Sequence, residues 1–235
     1  MSYPAPCNFP GAFKSLKMST NPTVKAGLSA SEQRDLQHYM TTTWTRALLT
    51  QGGQIVIPCR ARNVKSSSES NFYAKILATP GTFARYLCFH GRLSMDPTSG
   101  GKEKILTEMH SLVRLEGDLN GFSDTLHGGV VCTLFDESMG LVLAYNIHGG
   151  LINVPDQEFH GENEGAAGFA VFTGEMTTRF LAAIKTPQDV LVTAVVDKVV
   201  GRKFFVTASM KDQHGKVLAT GKAVWIAARL PASKL

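Results

Sequence analysis

The stretch from Leu126 to Asn146 limits what this chain can fold into more than any other. Val130, Val131, Leu134, Phe135, Met139, Leu141, Val142 and Leu143 cover most of the circumference of the helix that their spacing predicts. A helix apolar on nearly all sides belongs inside a core. Thr125 is its expected N-cap and Gly149-Gly150 its expected stop. At about 1.5 Å rise per residue it would be about 30 Å long. One narrow stripe breaks the hydrocarbon: Gly129, Thr133, Asp136 with Glu137, and Gly140. A carboxylate on such a helix is costly unless a partner satisfies it or chemistry uses it. At the helix start, Gly128 and Gly129 leave free backbone N–H groups unobstructed beside the positive end of the helix dipole. That end suits a developing oxyanion.

A chain of 235 residues can bury one sizeable core, or a core with an appendage. No apolar run free of charge reaches the ~18–20 residues of a membrane span, because Asp136 and Glu137 interrupt the longest one. The net charge of +5 fits an anionic ligand and gives no reason to expect nucleic acid as a partner. Cys7, Cys59, Cys88 and Cys132 have neither metal-ligand nor disulfide-framework spacing. The expected location is intracellular and cytoplasmic. The acid-free start with Lys14, Lys17 and Lys25 makes a mitochondrial presequence the alternative.

Three divisions are expected: a flexible tail over 1–28, a cap segment and linker over 29–103, and a core domain over 104–230. Ser29 and Glu32 form a capping-box pattern, and Leu36, Met40, Trp44 and Leu48 predict one amphipathic helix to about Leu49. Gln54–Ile57 reads as a short strand, and Asp96–Lys102 as the clearest linker. Ile105, Thr107, Met109, Ser111, Val113 and Leu115 share one parity of a half-buried strand. After the central helix comes a long polar loop, 149–168, and then strands over 169–180, 190–200, 203–211 and 217–228. Gly201-Arg202 and Asp212–Gly215 are the hairpin turns between the last three. Periodicity alone gives an α+β class, with an antiparallel sheet against one helix.

Leu126-His-Gly-Gly-Val, followed by Thr133-Leu-Phe-Asp-Glu and then Met139-Gly140, resembles the hot-dog-fold acyl thioesterases. The nearest branch acts on phenylacetyl-type and fatty acyl-CoA thioesters and has fungal members. The resemblance implies a hot-dog fold, an antiparallel sheet wrapped around one long central helix, here with an N-terminal helical cap segment. It implies hydrolysis of an acyl-CoA or acyl-carrier-protein thioester without cofactor or metal, by a homodimer or a dimer of dimers. The Gly128 N–H would polarise the thioester carbonyl, Asp136 would act as nucleophile or general base, and Thr173 would hold the carboxylate or its water. Asn120 falls near the position that orients the thioester, one residue further from His127 than the family's pattern has it. His127 and Gly129 belong to the substrate-binding turn, with His127 fixing it. Arg202 and Lys203, at a hairpin tip, are the candidates for meeting CoA phosphates. Glu137 points about 100° away from Asp136 and is expected to be structural.

Gly128 and Asp136 would stand about 12 Å apart along one helix. An attacking oxygen must come within about 3 Å of the thioester carbon while the carbonyl oxygen meets its donors. One helix cannot do both, so the site is expected to be shared between two chains. Three other readings stand beside the hydrolase: a hot-dog dehydratase or hydratase, whose His–acid or Asp–His motifs are not found; a non-catalytic acyl-thioester binder; and a biosynthetic enzyme releasing or reshaping a polyketide. Ser138 lacks the Gly-x-Ser-x-Gly elbow of an α/β-hydrolase.

Overall fold

A computed structural model describes residues 21–91, 93–95, 104–148 and 169–229. Its α-helices are α1 (Ala30–Thr41), α2 (Thr43–Thr50) and α3 (Gly128–His148). The strands of the main sheet are β1 (Thr23–Val24), β2 (Ile55–Ile57), β3 (Phe83–His90), β4 (Glu108–Leu115), β5 (Phe169–Phe180), β6 (Gln188–Val200), β7 (Lys203–Lys211) and β8 (Val217–Arg229). They lie in the order β1-β2-β3-β4-β6-β7-β8-β5. Only β1 and β2 pair in parallel; every other neighbour is antiparallel.

The inner face of this sheet wraps α3, which is the hot-dog arrangement. Val131, Leu134, Phe135, Met139, Val142 and Leu143 of the helix are all essentially without solvent contact. They pack against inward residues of the strands, among them Tyr86, Val113, Val192, Phe204 and Trp225. Each such side chain contributes roughly 1.5–3 kcal/mol of burial, enough to override the two acids on the same helix. By length and hydropathy α3 could cross a membrane; here the sheet encloses it. Two glycines set how closely helix and sheet approach. A Cβ on Gly221 of β8 would sit 2.8 Å from the Phe135 ring, and one on Gly140 would sit 3.0 Å from the Trp225 ring. Asn146 fixes the far end of the helix, accepting the Leu106 N–H at 2.8 Å and donating to the Leu106 carbonyl at 2.9 Å.

The parity expected for β4 holds, with Met109, Val113 and Leu115 facing the helix core. Its other face is not open to water. Leu112, with Val56, Leu87 and Phe89, packs against Tyr39 of α1 and Leu49 of α2 in a second cluster. The segment before residue 104 thus supplies β2 and β3 to the main sheet and two helices to its back. The capping box forms as expected: Ser29 Oγ accepts the Glu32 N–H at 3.3 Å and Glu32 accepts the Ser29 N–H at 2.7 Å. Glu32 also accepts the Cys59 N–H at 2.6 Å, tying the helix start to the chain after β2. The single helix expected to run to Leu49 is two. Thr42 is extended at φ −92°, ψ 130°, and the Thr45 hydroxyl donates to the carbonyls of Tyr39 at 2.5 Å and Thr42 at 3.1 Å. Hydroxyls so placed compete with the helical ladder. Residues 1–20 of the expected tail, the linker 96–102 and the loop 149–168 lie outside the described residues.

Candidate active site

The site is built where one stripe of α3 meets the inner face of β5. Gly128, Cys132 and Asp136 follow at four-residue spacing, so they line one side of the helix. Opposite them on β5, the Phe180 ring would lie 3.3 Å from a Gly128 Cβ, Thr178 Oγ1 takes a 3.6 Å contact from Cys132 Sγ, and Thr173 Oγ1 donates to Asp136 Oδ1 at 2.5 Å. Strand alternation would not place Thr173 there, since Phe180, Thr178 and Met176 already take the even positions of that face. The register against β8 slips by one residue, so that Trp225 faces Thr173 while Val224 faces Glu175. Gly174 is the extra residue. This bulge switches the parity and turns Thr173 inward onto the acid.

Asp136 and Glu137 both line a cleft of about 480 Å³, together with Phe72, Tyr73, Cys132, Thr133 and Met176. Their environments differ. Asp136 is held by the Thr173 hydroxyl. Glu137 is partly buried; loss of solvent and then the neighbouring Asp136 carboxylate push its pKa up to about 7, against a weaker opposing pull from Lys65. Lys65 itself is occupied by Glu69. Glu137 therefore brings a carboxyl of raised proton affinity to the same cleft that Asp136 lines.

The helix start differs from expectation. Thr125 is not its N-cap: Thr125–Leu126 pairs with Asn120–Phe122, and the Thr125 hydroxyl donates to the Ser123 carbonyl at 3.2 Å. His127 takes the capping place instead. Its Nδ1 accepts the Gly129 N–H at 3.0 Å and its carbonyl accepts the Val130 N–H at 3.0 Å. His127 thus fixes the turn. Gly129 is spoken for by that bond, while among the described residues the Gly128 N–H meets no acceptor. The half-exposed Phe180 ring stands beside Gly128, across from it on β5.

The other candidates are scattered. The Asn120 side chain is engaged with the Thr186 hydroxyl and lies in the short strand pair before α3. Arg202 and Lys203 are exposed at the β6–β7 turn. Lys203 pairs with Ile226, whereas Phe180, beside Gly128, pairs with Ala219. At about 3.3 Å per residue those positions are roughly 23 Å apart along β8. Within one chain the basic pair is therefore at the opposite end of the sheet from Gly128. Among the described residues no three His, Cys, Asp or Glu side chains converge as a metal site.

Two contributors had no sequence signal. Phe72 and Tyr73 reach the cleft from a turn well before α3 in the chain, where the Tyr73 hydroxyl donates to the carbonyl of Thr133, 60 residues later, at 2.7 Å. No periodicity or motif in the chain announces that meeting.

The thioesterase superfamily model matches residues 124–219. The chain is similar to verlamelin biosynthesis protein B of the fungus Lecanicillium, at 25% identity over 204 residues covering 83% of this chain and 88% of that protein. Among solved structures, zebra fish thioesterase superfamily member 2 is 20% identical with a TM-score of 0.44, over 74% of this chain and 93% of that one. A Streptococcus mutans protein bound to acetyl CoA is 15% identical with a TM-score of 0.41, over 52% and 82%. The residues matched by that family model hold α3, Asp136 and Thr173 together, so the similarity to the thioesterase superfamily falls on the stretch that builds the cleft.

Proposed function

We propose that this protein hydrolyses an acyl-CoA or acyl-carrier-protein thioester to the free acid and thiol, with Asp136 as the working acid. The observation that carries this reading is the hydrogen bond from Thr173 to Asp136 at the mouth of the cleft, which holds one oxygen and leaves the other for a water or a thioester carbon. As general base, Asp136 takes a proton from water while the water oxygen bonds to the thioester carbon. The carbonyl oxygen gains the charge, which the unclaimed Gly128 N–H of a second chain stabilises. As the C–S bond breaks, the sulfur takes up a proton and leaves as the thiol. In the nucleophilic variant, Asp136 attacks the carbon itself and water then cleaves the anhydride.

The two-chain site rests on the separation of Gly128 and Asp136 along α3, about 12 Å for eight residues. β5, at the edge of the main sheet, supports a homodimer: among the described residues its 12-residue outer edge has no partner strand, with Phe172 51% and Phe180 56% exposed. Long apolar edges of this kind invite pairing. With antiparallel central helices, Arg202 and Lys203 of one chain approach the Gly128 end of the other, a position suited to CoA phosphates. Asn120 and His127 shape the turn that presents Gly128. Within residues 29–95 we assign α1 and α2 to a cap on the back of the core, with β2 and β3 part of its sheet, and we assign the cytoplasm as the place of action. Similarity to a fungal biosynthesis protein supports release or reshaping of a pathway's acyl chain.

The test is thiol release by the purified protein across a panel of acyl-CoA and acyl-carrier-protein thioesters, with Asp136→Asn beside it. The reading requires turnover on at least one substrate and a loss of about 10²-fold or more in the variant. Thioester binding without hydrolysis would leave the non-catalytic binder in its place.

A further inference from the structure

We propose that Phe72 and Tyr73 form the acyl-side wall of the site and select an uncharged, apolar acyl group. This rests on the thioesterase reading, because the wall matters only if the thioester carbon sits at Asp136. The cleft of about 480 Å³ lies within the roughly 300–1,000 Å³ range of small-ligand sites. Its apolar lining is Phe72, Tyr73, Met176 and Cys132, and its acids are Asp136 and Glu137.

The wall is built to stay in place. The Tyr73 hydroxyl donates to the Thr133 carbonyl at 2.7 Å, one turn before Asp136. The Tyr73 ring packs on Phe83 and Tyr86, with centroids 5.8 and 6.3 Å away. Arg62 holds the surrounding backbone, donating to the carbonyls of Tyr73 at 3.4 Å, Leu77 at 3.0 Å and Phe83 at 3.0 Å. Phe72 sits edge-on to Tyr73 at 5.8 Å and 86°, yet remains 53% exposed. An aromatic ring fixed at the rim of the cleft, half uncovered, gains by contact with hydrocarbon.

Charge decides what that hydrocarbon carries. The lining holds two carboxyl groups and neither Lys nor Arg. An acyl group ending in a carboxylate would meet Asp136 at close range, and Lys65, the cation that acts on Glu137, is already paired with Glu69. Mono-acyl groups with apolar tails fit, and dicarboxylic ones do not.

The experiment compares kcat/KM for acetyl-, hexanoyl-, lauroyl-, phenylacetyl- and succinyl-CoA in wild type, Phe72→Ala and Phe72→Leu, each checked for an unchanged thermal transition. Phe72→Ala is expected to cut lauroyl- and phenylacetyl-CoA turnover about tenfold, mainly through KM, while acetyl-CoA changes less than about twofold. Phe72→Leu recovers part of the loss, and wild type disfavours succinyl-CoA. An equal loss on all substrates, or succinyl-CoA accepted as well as hexanoyl-CoA, overturns the proposal. If wild type releases thiol from none of them, the thioesterase reading has failed on its own. Calorimetry with non-hydrolysable thioether analogues then decides the wall: weaker lauroyl binding in Phe72→Ala supports it, and unchanged binding rejects it.

Discussion

Thr173 donates its hydroxyl to Asp136 at 2.5 Å, although 37 residues separate them and the strand's own alternation would turn the threonine the other way. A hydrogen bond to a charged acceptor is worth about 1.5–3 kcal/mol. Thr173→Val should therefore lower kcat about 10- to 100-fold with a smaller change in KM, while Thr173→Ser keeps most of the activity. Steady-state thiol release measures both. Equal rates for the Val and Ser variants would show that the hydroxyl does nothing for the acid.

Glu137 gives the protein a stability that depends on pH. Its carboxyl keeps a proton in the folded chain up to about 7, whereas the ordinary value is 4.5. Between those values the folded state holds a proton that the unfolded state has released, so stability is full below about 4.5 and falls as pH rises to about 7. Glu137→Gln removes that term. Urea unfolding should find the variant gaining on wild type by on the order of 2 kcal/mol between pH 4.5 and pH 8, after discounting for partial solvent access. A wild-type-to-variant difference that is the same at both ends would refute the shift.

The Tyr73 hydroxyl ties the cap segment to the central helix. Tyr73→Phe keeps the ring and removes the bond to the Thr133 carbonyl, at a cost of about 1 kcal/mol. The thermal midpoint should fall by roughly 2–4 °C. A midpoint unchanged within 0.5 °C, a resolution set by about 0.1–0.2 kcal/mol at that scale, would mean that the bond adds nothing.

How much of this was legible beforehand varies from element to element. The apolar run around Asp136 could only be a buried helix, and the turns at Gly201 and Gly215 fell where both glycines adopt positive φ. Ser29 and Glu32 marked the start of α1 to the residue. The break at Thr42 was hidden, because the apolar spacing runs straight through it and only the threonine hydroxyls disagree. Thr125 looked like a cap by residue type, but its backbone is taken by a strand and His127 is next in line. That Thr173 would meet Asp136, and that Gly128 would stand at the head of α3, was readable from a family's motif. The bulge at Gly174 was not, since it is a matter of register between strands distant in sequence. Phe72 and Tyr73 were silent for the same reason: a contact across 60 residues leaves no local period.

The account stands most directly on a site shared by two chains, and subunit exchange tests it. Gly128→Pro removes the donor and Asp136→Asn removes the acid, so each homodimer should be inactive while still dimeric by light scattering. In a mixed dimer with antiparallel helices, one site carries both lesions and the other carries neither. Random exchange makes about half the dimers mixed, each with one working site of two, so activity should return to roughly a quarter of wild type. Proline at a helix start is tolerated by the backbone, and circular dichroism of the variant checks that α3 survives. Two dimeric variants that exchange subunits and recover no activity would contradict the shared site and place Gly128 and Asp136 in separate roles.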